Sequence, residues 1–210
     1  MRLIAGLAKG MPLSAPPGGD VRPTADRVRA AIFSSLGPRV AGAGVLDLFA
    51  GTGGLGLEAA SRGAGAVTFV EQAAAALECL GENLDRFRRR CAGDCALAVL
   101  AVEARSQIEQ WCGHRAFDLI FADPPYGPLA QALLDDPLLP RLLAADGRFI
   151  LESARRVPLT VSAPWEPIRE ASYGDTCVSF FRLLPEVRNF GITAPPGPWT
   201  HPEPGAGASI

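Results

Sequence analysis

A chain of 210 residues, 48% of them hydrophobic, is long enough for one domain with a sizeable core. No apolar run reaches the roughly 18–20 residues that a membrane-spanning helix needs, and a net charge of −2 excludes a chain that is basic throughout. The charge is uneven, however: residues 1–40 carry six basic side chains against two acids, a net +4, and the remainder carries −6.

Lys9 is the only lysine, so nearly all the positive charge is arginine, the side chain suited to bidentate phosphate contact. The apolar patch at the start of the chain is broken by Lys9, Gly10 and Pro12, which argues against a signal peptide. The five cysteines are odd in number and lack CxxC spacing, as expected of reduced thiols in a cytoplasmic protein. Cys91 and Cys95 have no histidine near them in sequence and make a poor metal site; no metal is expected.

In chain order, "RLIAGLAKGMPLSAP" reads as a small hairpin or an extended arm. "RPTADRVRAAIFSSL" reads as a helix, with Thr24 as a candidate N-cap after Pro23. Ala25, Val28, Ile32 and Leu36 form its apolar stripe, and Arg27 and Arg29 are expected to project elsewhere, toward a partner. Strands are expected at 44–50, 66–71, 96–102, 117–123 and 147–152, with helices near 55–62, 73–90, 104–112 and 128–144. Continuous apolar strands alternating with helices predict an α/β fold, a parallel sheet covered on both faces. Two further strands near 165–173 and 176–184 fit an antiparallel pair at the sheet edge. Residues 185–210 hold six prolines and four glycines and are expected to form a disordered tail. The implied division is an N-terminal extension over 1–40, the sheet domain over 41–184, and the tail.

The chemistry concentrates in two stretches. "VLDLFAGTGGLGLE" places Gly51, Gly53 and Gly56 in GxGxxG spacing after the first strand. Glycines there allow positive φ, and the loop amides and helix N-terminus form a partly positive site for a pyrophosphate or a carboxylate. Phe49 and Thr52 belong to the same loop. Glu71, ending the second strand, can accept ribose hydroxyls of either a dinucleotide or S-adenosylmethionine (AdoMet). Glu103, after the third strand, is a candidate for the adenine amine or simply a surface acid. Asp47 tilts the choice: a carboxylate so near the loop repels phosphates but favours the ammonium and sulfonium of AdoMet, directly or by fixing the loop.

The second stretch is "ADPPYG" at the end of the fourth strand. Ligands of open α/β sheets bind beyond the carboxyl ends of the strands, so this element and the glycine loop face one crevice. Pro124 and Pro125 hold the backbone extended and remove two N–H donors, freeing carbonyls to face a substrate. Asp123 adds an acceptor and Tyr126 a flat ring, a set suited to an exocyclic amine on a planar group.

"RPTADRVRAAIF", "LDLFAGTGGLGLEAASRGA" and "FDLIFADPPYG" together resemble the RsmD-type 16S rRNA (guanine-N2)-methyltransferases, a family of class I AdoMet-dependent methyltransferases. The resemblance covers roughly residues 2–184. It implies a seven-stranded, mostly parallel, Rossmann-like sheet with an inserted last strand, helices on both faces and a short N-terminal extension. It also implies AdoMet as cofactor and a guanine of small-subunit rRNA as substrate, in the subunit or an assembly intermediate. Met11 and Ala30 depart from the family pattern, as does the bland "QAAAAL" opening the helix after Glu71.

On this reading Asp123 and the Pro124 carbonyl accept the amine, with Pro125 and the stacking ring of Tyr126 completing the catalytic element. Asp47, Phe49, Gly51, Thr52, Gly53, Glu71, Glu103 and Asp123 hold the cofactor, and Arg22, Thr24, Arg27, Arg29 and Lys9 contact RNA. Arg86, Arg88, Arg89 and Arg90 form a second basic cluster, either RNA-facing or a solvated helix end. A monomer with no membrane partner is expected. The rival readings are methylation of another amine (adenine-N6, cytosine-N4 or protein glutamine), an NAD-dependent oxidoreductase, and a non-catalytic RNA-binding module. The oxidoreductase leaves "DPPYG" unexplained and would need a catalytic base, where the chain has only His114 and His201 as histidines.

Overall fold

The computed structural model describes residues 1–16, 23–91, 95–112, 116–125 and 127–187, with the side chains of 23–25 left aside. The expected tail beyond 187, Arg22, Tyr126 and the Thr24 side chain therefore lie outside the described set.

Seven strands form one sheet: β1 (Gly44–Leu48), β2 (Ala66–Glu71), β3 (Ala96–Ala101), β4 (Phe117–Ala122), β5 (Leu143–Ala154), β6 (Trp165–Tyr173) and β7 (Thr176–Leu183). Their order is β3-β2-β1-β4-β5-β7-β6. The first five pair in parallel, while β7 runs antiparallel between β5 and β6. The last strand is thus inserted, and the edge pair is antiparallel, as the sequence leads one to expect. Between β1 and β4 the order reverses, and the crevice left there is where such sheets bind ligands.

The helices are α1 (Pro23–Leu36), α2 (Gly54–Ser61), α3 (Ala74–Arg90), α4 (Ala104–Trp111) and α5 (Leu129–Asp135). Alternate residues of the central strands divide the core between two faces. Val45, Val67, Phe69, Leu119 and Phe121 pack with α1, α2, α3 and the N-terminal arm. Leu46, Leu48, Val70, Ile120 and Phe149 pack with α4, α5 and the 3-10 turn Leu139–Leu142.

One helix expectation needs correcting. The stretch 128–144 is not a single helix: α5 ends at Asp135, a 3-10 turn follows, and Leu143 already begins β5. Pro137 and Pro140 lack the amide a helix interior needs, and Asp136 instead accepts the Leu138 amide at 2.8 Å in a local turn. Likewise α1 starts at Pro23, so Thr24 lies inside the helix instead of capping it. Proline suits a first helical position because its missing amide would be unpaired there anyway.

The N-terminal arm is a tight hairpin. Arg2 pairs antiparallel with Pro12, and the Leu3 amide donates to the Met11 carbonyl at 2.9 Å. Its Leu3, Ala8, Met11 and Leu13 are buried in the same core as Val28, Ile32 and Phe33 of α1. Polar bonds to α2 fix its position. Glu58, fully buried, accepts the Ile4 amide at 2.7 Å and the Ala5 amide at 3.1 Å, and receives Arg62 Nε at 2.7 Å. Ser61 Oγ accepts the Ala8 amide at 2.9 Å. A Cβ at Gly6 would sit 1.8 Å from the Ser61 carbonyl oxygen, so only glycine allows this approach. Asn83 of α3 completes the attachment: its Oδ1 accepts the Ser14 amide and its Nδ2 donates to the Ser14 and Thr52 carbonyls.

Replacing Glu58 with Ala leaves two arm amides and two arginines without their buried acceptor. We expect a loss of about 3 kcal/mol or more in stability, read as a lower urea midpoint. A change below about 0.5 kcal/mol would show that the arm is not held through Glu58.

Candidate active site

At the carboxyl end of β1 the chain turns through left-handed backbone three times: Phe49 at φ 58°, Gly51 at 55° and Gly53 at 83°. Phe49 is the one non-glycine residue with positive φ among the described residues. Neighbouring strand ends hold the loop in this shape. Ala50 donates its amide to the Val70 carbonyl at 3.0 Å, and Gly51 donates to Glu71 Oε2 at 2.8 Å. The other Glu71 oxygen accepts the Gln72 and Ala73 amides at 2.8 and 2.7 Å. Asp47, buried in β1, accepts the Gly56 amide at 2.8 Å from the first turn of α2. A Cβ at Gly56 would lie 2.3 Å from the Phe69 ring, so the third glycine is what lets α2 rest on the sheet.

Two hollows meet at this loop. The larger, of about 530 Å³, is walled by Val70, Glu71, Val102, Pro124, Pro125 and Leu129. The smaller, of about 260 Å³, is lined by Met1, Arg29, Asp47, Thr52 and Glu152 among others. Phe49, Gly51 and Asp123 border both. The structure therefore brings Asp47, Phe49, Gly51, Thr52, Glu71, Asp123, Pro124 and Pro125 to one crevice, with Gly53 starting α2 beside it.

Glu103 is placed differently. It is the N-cap of α4, accepting the Arg105 amide at 3.0 Å and the Ser106 amide at 2.8 Å. Burial alone would raise its carboxyl, but these amides, with the Ser106 hydroxyl and Arg105, outweigh it and hold it below the usual carboxylate range. It is an exposed acid whose carboxylate serves the end of α4.

Among the RNA candidates, Lys9 and Arg27 are exposed. Arg29 is not, contrary to the expectation that it projects toward a partner. It is 4% exposed, donates to the Arg2 carbonyl and to Asp26 Oδ1, and lies 3.8 Å from Glu58 Oε2. Its position beside Val28, at the edge of the apolar stripe, turns it inward to the smaller hollow. In the second basic cluster, Arg86 and Arg90 reach back to the Pro12 and Lys9 carbonyls of the arm, and Arg88 pairs with Asp85.

Glu152 escapes a reading of sequence motifs. Ala122 and Leu151 are partners in the β4–β5 register, so Asp123 and Glu152 follow side by side at the strand ends. The available signal was the acid closing "GRFILE", as Glu71 closes "AVTFVE". With Glu71, Asp47 and Asp123, four carboxyls thus share the crevice, and three of them are raised. Burial pushes Asp47 from 3.8 up to about 8, opposed by the Gly56 amide and reinforced by Asp123 and Glu71. Burial raises Glu152 from 4.5 to about 8, with Asp123 and Asp47 adding to the rise and Arg29 opposing it. Asp123 keeps solvent access from the crevice, yet the protein crowding its carboxyl lifts it from 3.8 to about 6.

Residues 1–182 match the family model described as "Conserved hypothetical protein 95". The Escherichia coli (strain K12) protein named "Ribosomal RNA small subunit methyltransferase D" is 33% identical over 190 residues, spanning 87% of this chain and 89% of its own. Its namesake from Haemophilus influenzae is 31% identical over 175 residues, spanning 83% and 89%. The chain belongs to the RsmD family of methyltransferases. The solved structure of Escherichia coli yhhF superposes with a TM-score of 0.72 at 32% identity, covering 87% of this chain and 97% of that one. Haemophilus influenzae HI0767 gives 0.71 at 29%, covering 88% and 98%. The fold of the RsmD-type chain is accordingly that of the class I methyltransferases.

The raised carboxyls carry a pH signature. Between about pH 4 and 8 the folded chain binds more protons at Asp47, Asp123 and Glu152 than the unfolded chain does. The stability these groups confer is full below their unfolded values and is lost as pH rises through the folded ones. Asp47→Asn keeps an acceptor for Gly56 but removes one such group. We expect its stability relative to the parent to be clearly greater at pH 8 than at pH 5, measured by urea unfolding; equal effects at both values would refute the assignment.

Proposed function

We propose that this chain transfers a methyl group from AdoMet to the exocyclic N2 amine of a guanine in small-subunit ribosomal RNA. The observation that carries the reading is the position of Asp123, which borders both hollows between the glycine loop and Glu152. The names borne by the relatives support ribosomal RNA as the substrate class.

The residues present fit AdoMet. Asp47, Asp123 and Glu152 crowd one crevice with Arg29 as the cation that lowers Glu152 there, so a cationic ligand relieves their mutual repulsion and a pyrophosphate adds to it. Val70, Val102 and Leu129 give the larger hollow apolar walls for an adenine, and Glu71 retains acceptor capacity for ribose hydroxyls. When bound, AdoMet supplies a methyl carbon already activated on a sulfonium.

The chain's own part is alignment and charge. A guanine amine is a poor nucleophile because its lone pair is delocalised into the ring. Asp123 and the Pro124 carbonyl accept its two N–H groups, which favours a more tetrahedral nitrogen and stabilises the positive charge that develops on it. Holding the amine in line with the methyl carbon supplies several kcal/mol of the barrier reduction, by order of magnitude. Pro124 and Pro125 offer no amide to compete for these acceptors. Asp123, raised to about 6, is mostly ionised at neutral pH and takes the proton released after transfer. Tyr126 is assigned the stacking role from its place in the sequence. In the same reading residues 1–40 contact RNA, with exposed Lys9 and Arg27 as phosphate partners.

The test is transfer from methyl-labelled AdoMet to unmodified small subunits and to protein-free rRNA, followed by nucleoside analysis. We expect label in N2-methylguanosine, reduced about 100-fold or more by Asp123→Ala in a variant whose melting temperature shows it folded. Label in a different nucleoside would keep the pocket and reject the guanine.

A further inference from the structure

Asp47 is committed to the Gly56 amide and Glu71 to three loop amides. Glu152 has no such commitment: among the described residues no hydrogen-bond donor meets its carboxylate. It lines the smaller hollow with Asp123 and Arg29, and also a narrow recess formed with Pro124, Pro125 and Gly127. The charges it feels are Asp123 and Asp47, which repel it, and Arg29, which favours its ionised form. Its half-buried carboxylate therefore faces the hollow with its acceptor capacity open to a ligand.

We propose that Glu152 is a specificity-determining residue that reads the Watson–Crick edge of the target base, accepting the ring N1–H of guanine beside the amine held by Asp123. The proposal rests on the guanine reading above. Guanine is the one standard base that places a ring N–H next to an exocyclic amine. Adenine and cytosine place a ring acceptor there, and uracil has no amine. An unstacked base is read on this edge. Two adjacent carboxylates at neighbouring strand ends complement two adjacent donors. Once a cationic cofactor has displaced the proton that the crowded crevice retains, the same pair repels the lone pair of a ring acceptor, so an adenine or cytosine amine is rejected as well as left unmatched. Arg29 then acts through Glu152 by favouring its ionised form, which gives a use for an arginine drawn into the interior.

The test uses the labelled acceptor with its modified guanine replaced by 2-aminopurine, in a reconstituted subunit or in free rRNA, whichever the full-length enzyme methylates. This base keeps the 2-amine but turns N1 into an acceptor. For the parent enzyme we expect kcat/KM to favour guanine by roughly 10-fold or more. Glu152→Gln presents an amide that donates to that acceptor, so the preference should fall to near one or reverse. Glu152→Ala should lose the preference without the gain on 2-aminopurine. An unchanged ratio in both variants, or loss of AdoMet binding by Glu152→Gln, would overturn the assignment to base recognition. Failure of the parent enzyme to methylate guanine at all would instead overturn the reading on which it rests.

Discussion

The bond from the Gly56 amide to Asp47 fixes the rest of the site. It ties the centre of the sheet to the first turn of α2 at 2.8 Å, and the chain from Phe49 to Gly53 must fit the gap between them. Three residues of that span adopt positive φ. Two are glycines and lose nothing by it. Phe49 bears a cost of about 1 kcal/mol, borne because Ala50 and Gly51 are each fixed to β2 immediately afterwards. Its ring is thereby held where both hollows meet.

From α2 the constraint passes outward. The helix that carries Gly56 also carries Glu58 and Ser61, and these hold the N-terminal hairpin by its backbone amides. Arg29 links α1 to both, through the Arg2 carbonyl and the Glu58 carboxylate. The hairpin, α1 and the glycine loop are therefore positioned by one short helix. Any displacement of the hairpin must strip the buried Glu58 carboxylate of two amide donors and Arg29 of the Arg2 carbonyl, which is costly for buried charged groups. An RNA gripped by this extension would consequently present its base at a defined place.

The first five strands were legible because they are largely apolar runs closed by glycine or an acid, and all seven expected strands are found to within a residue or two at most ends. β5 is the exception: it begins at Leu143, four residues early, where the apolar stretch "LLAAD" gives a helical pattern as readily as an extended one. The glycine loop and "DPPYG" were legible because their residue types have few other uses at strand ends. Arg29 was not. Its neighbours are Asp26 in the same helix and Glu58 in another, and only the tertiary pairing decides that an arginine at the edge of an apolar stripe turns inward. Glu103 was ambiguous for a related reason. Glutamate is a less favoured N-cap than serine, threonine, aspartate or asparagine, so its helix-end use had no strong local sign. Glu152 needed the register of β4 and β5, which no single strand contains.

The three raised carboxyls also disfavour a pyrophosphate at a glycine loop of common design. The amide of Gly51 already has a carboxylate acceptor in Glu71, so the loop has one free donor fewer to offer a pyrophosphate than its glycine spacing suggests. Asp47 and Asp123 then add negative charge on the sheet side of the loop, where a phosphate would have to approach. Without ligand the crevice lowers its own charge by retaining protons, which is the meaning of values near 6 and 8. A ligand that brings positive charge removes the reason for those protons and turns the same acids into acceptors. The glycine spacing makes the room, and the acids around it choose the sign of what enters.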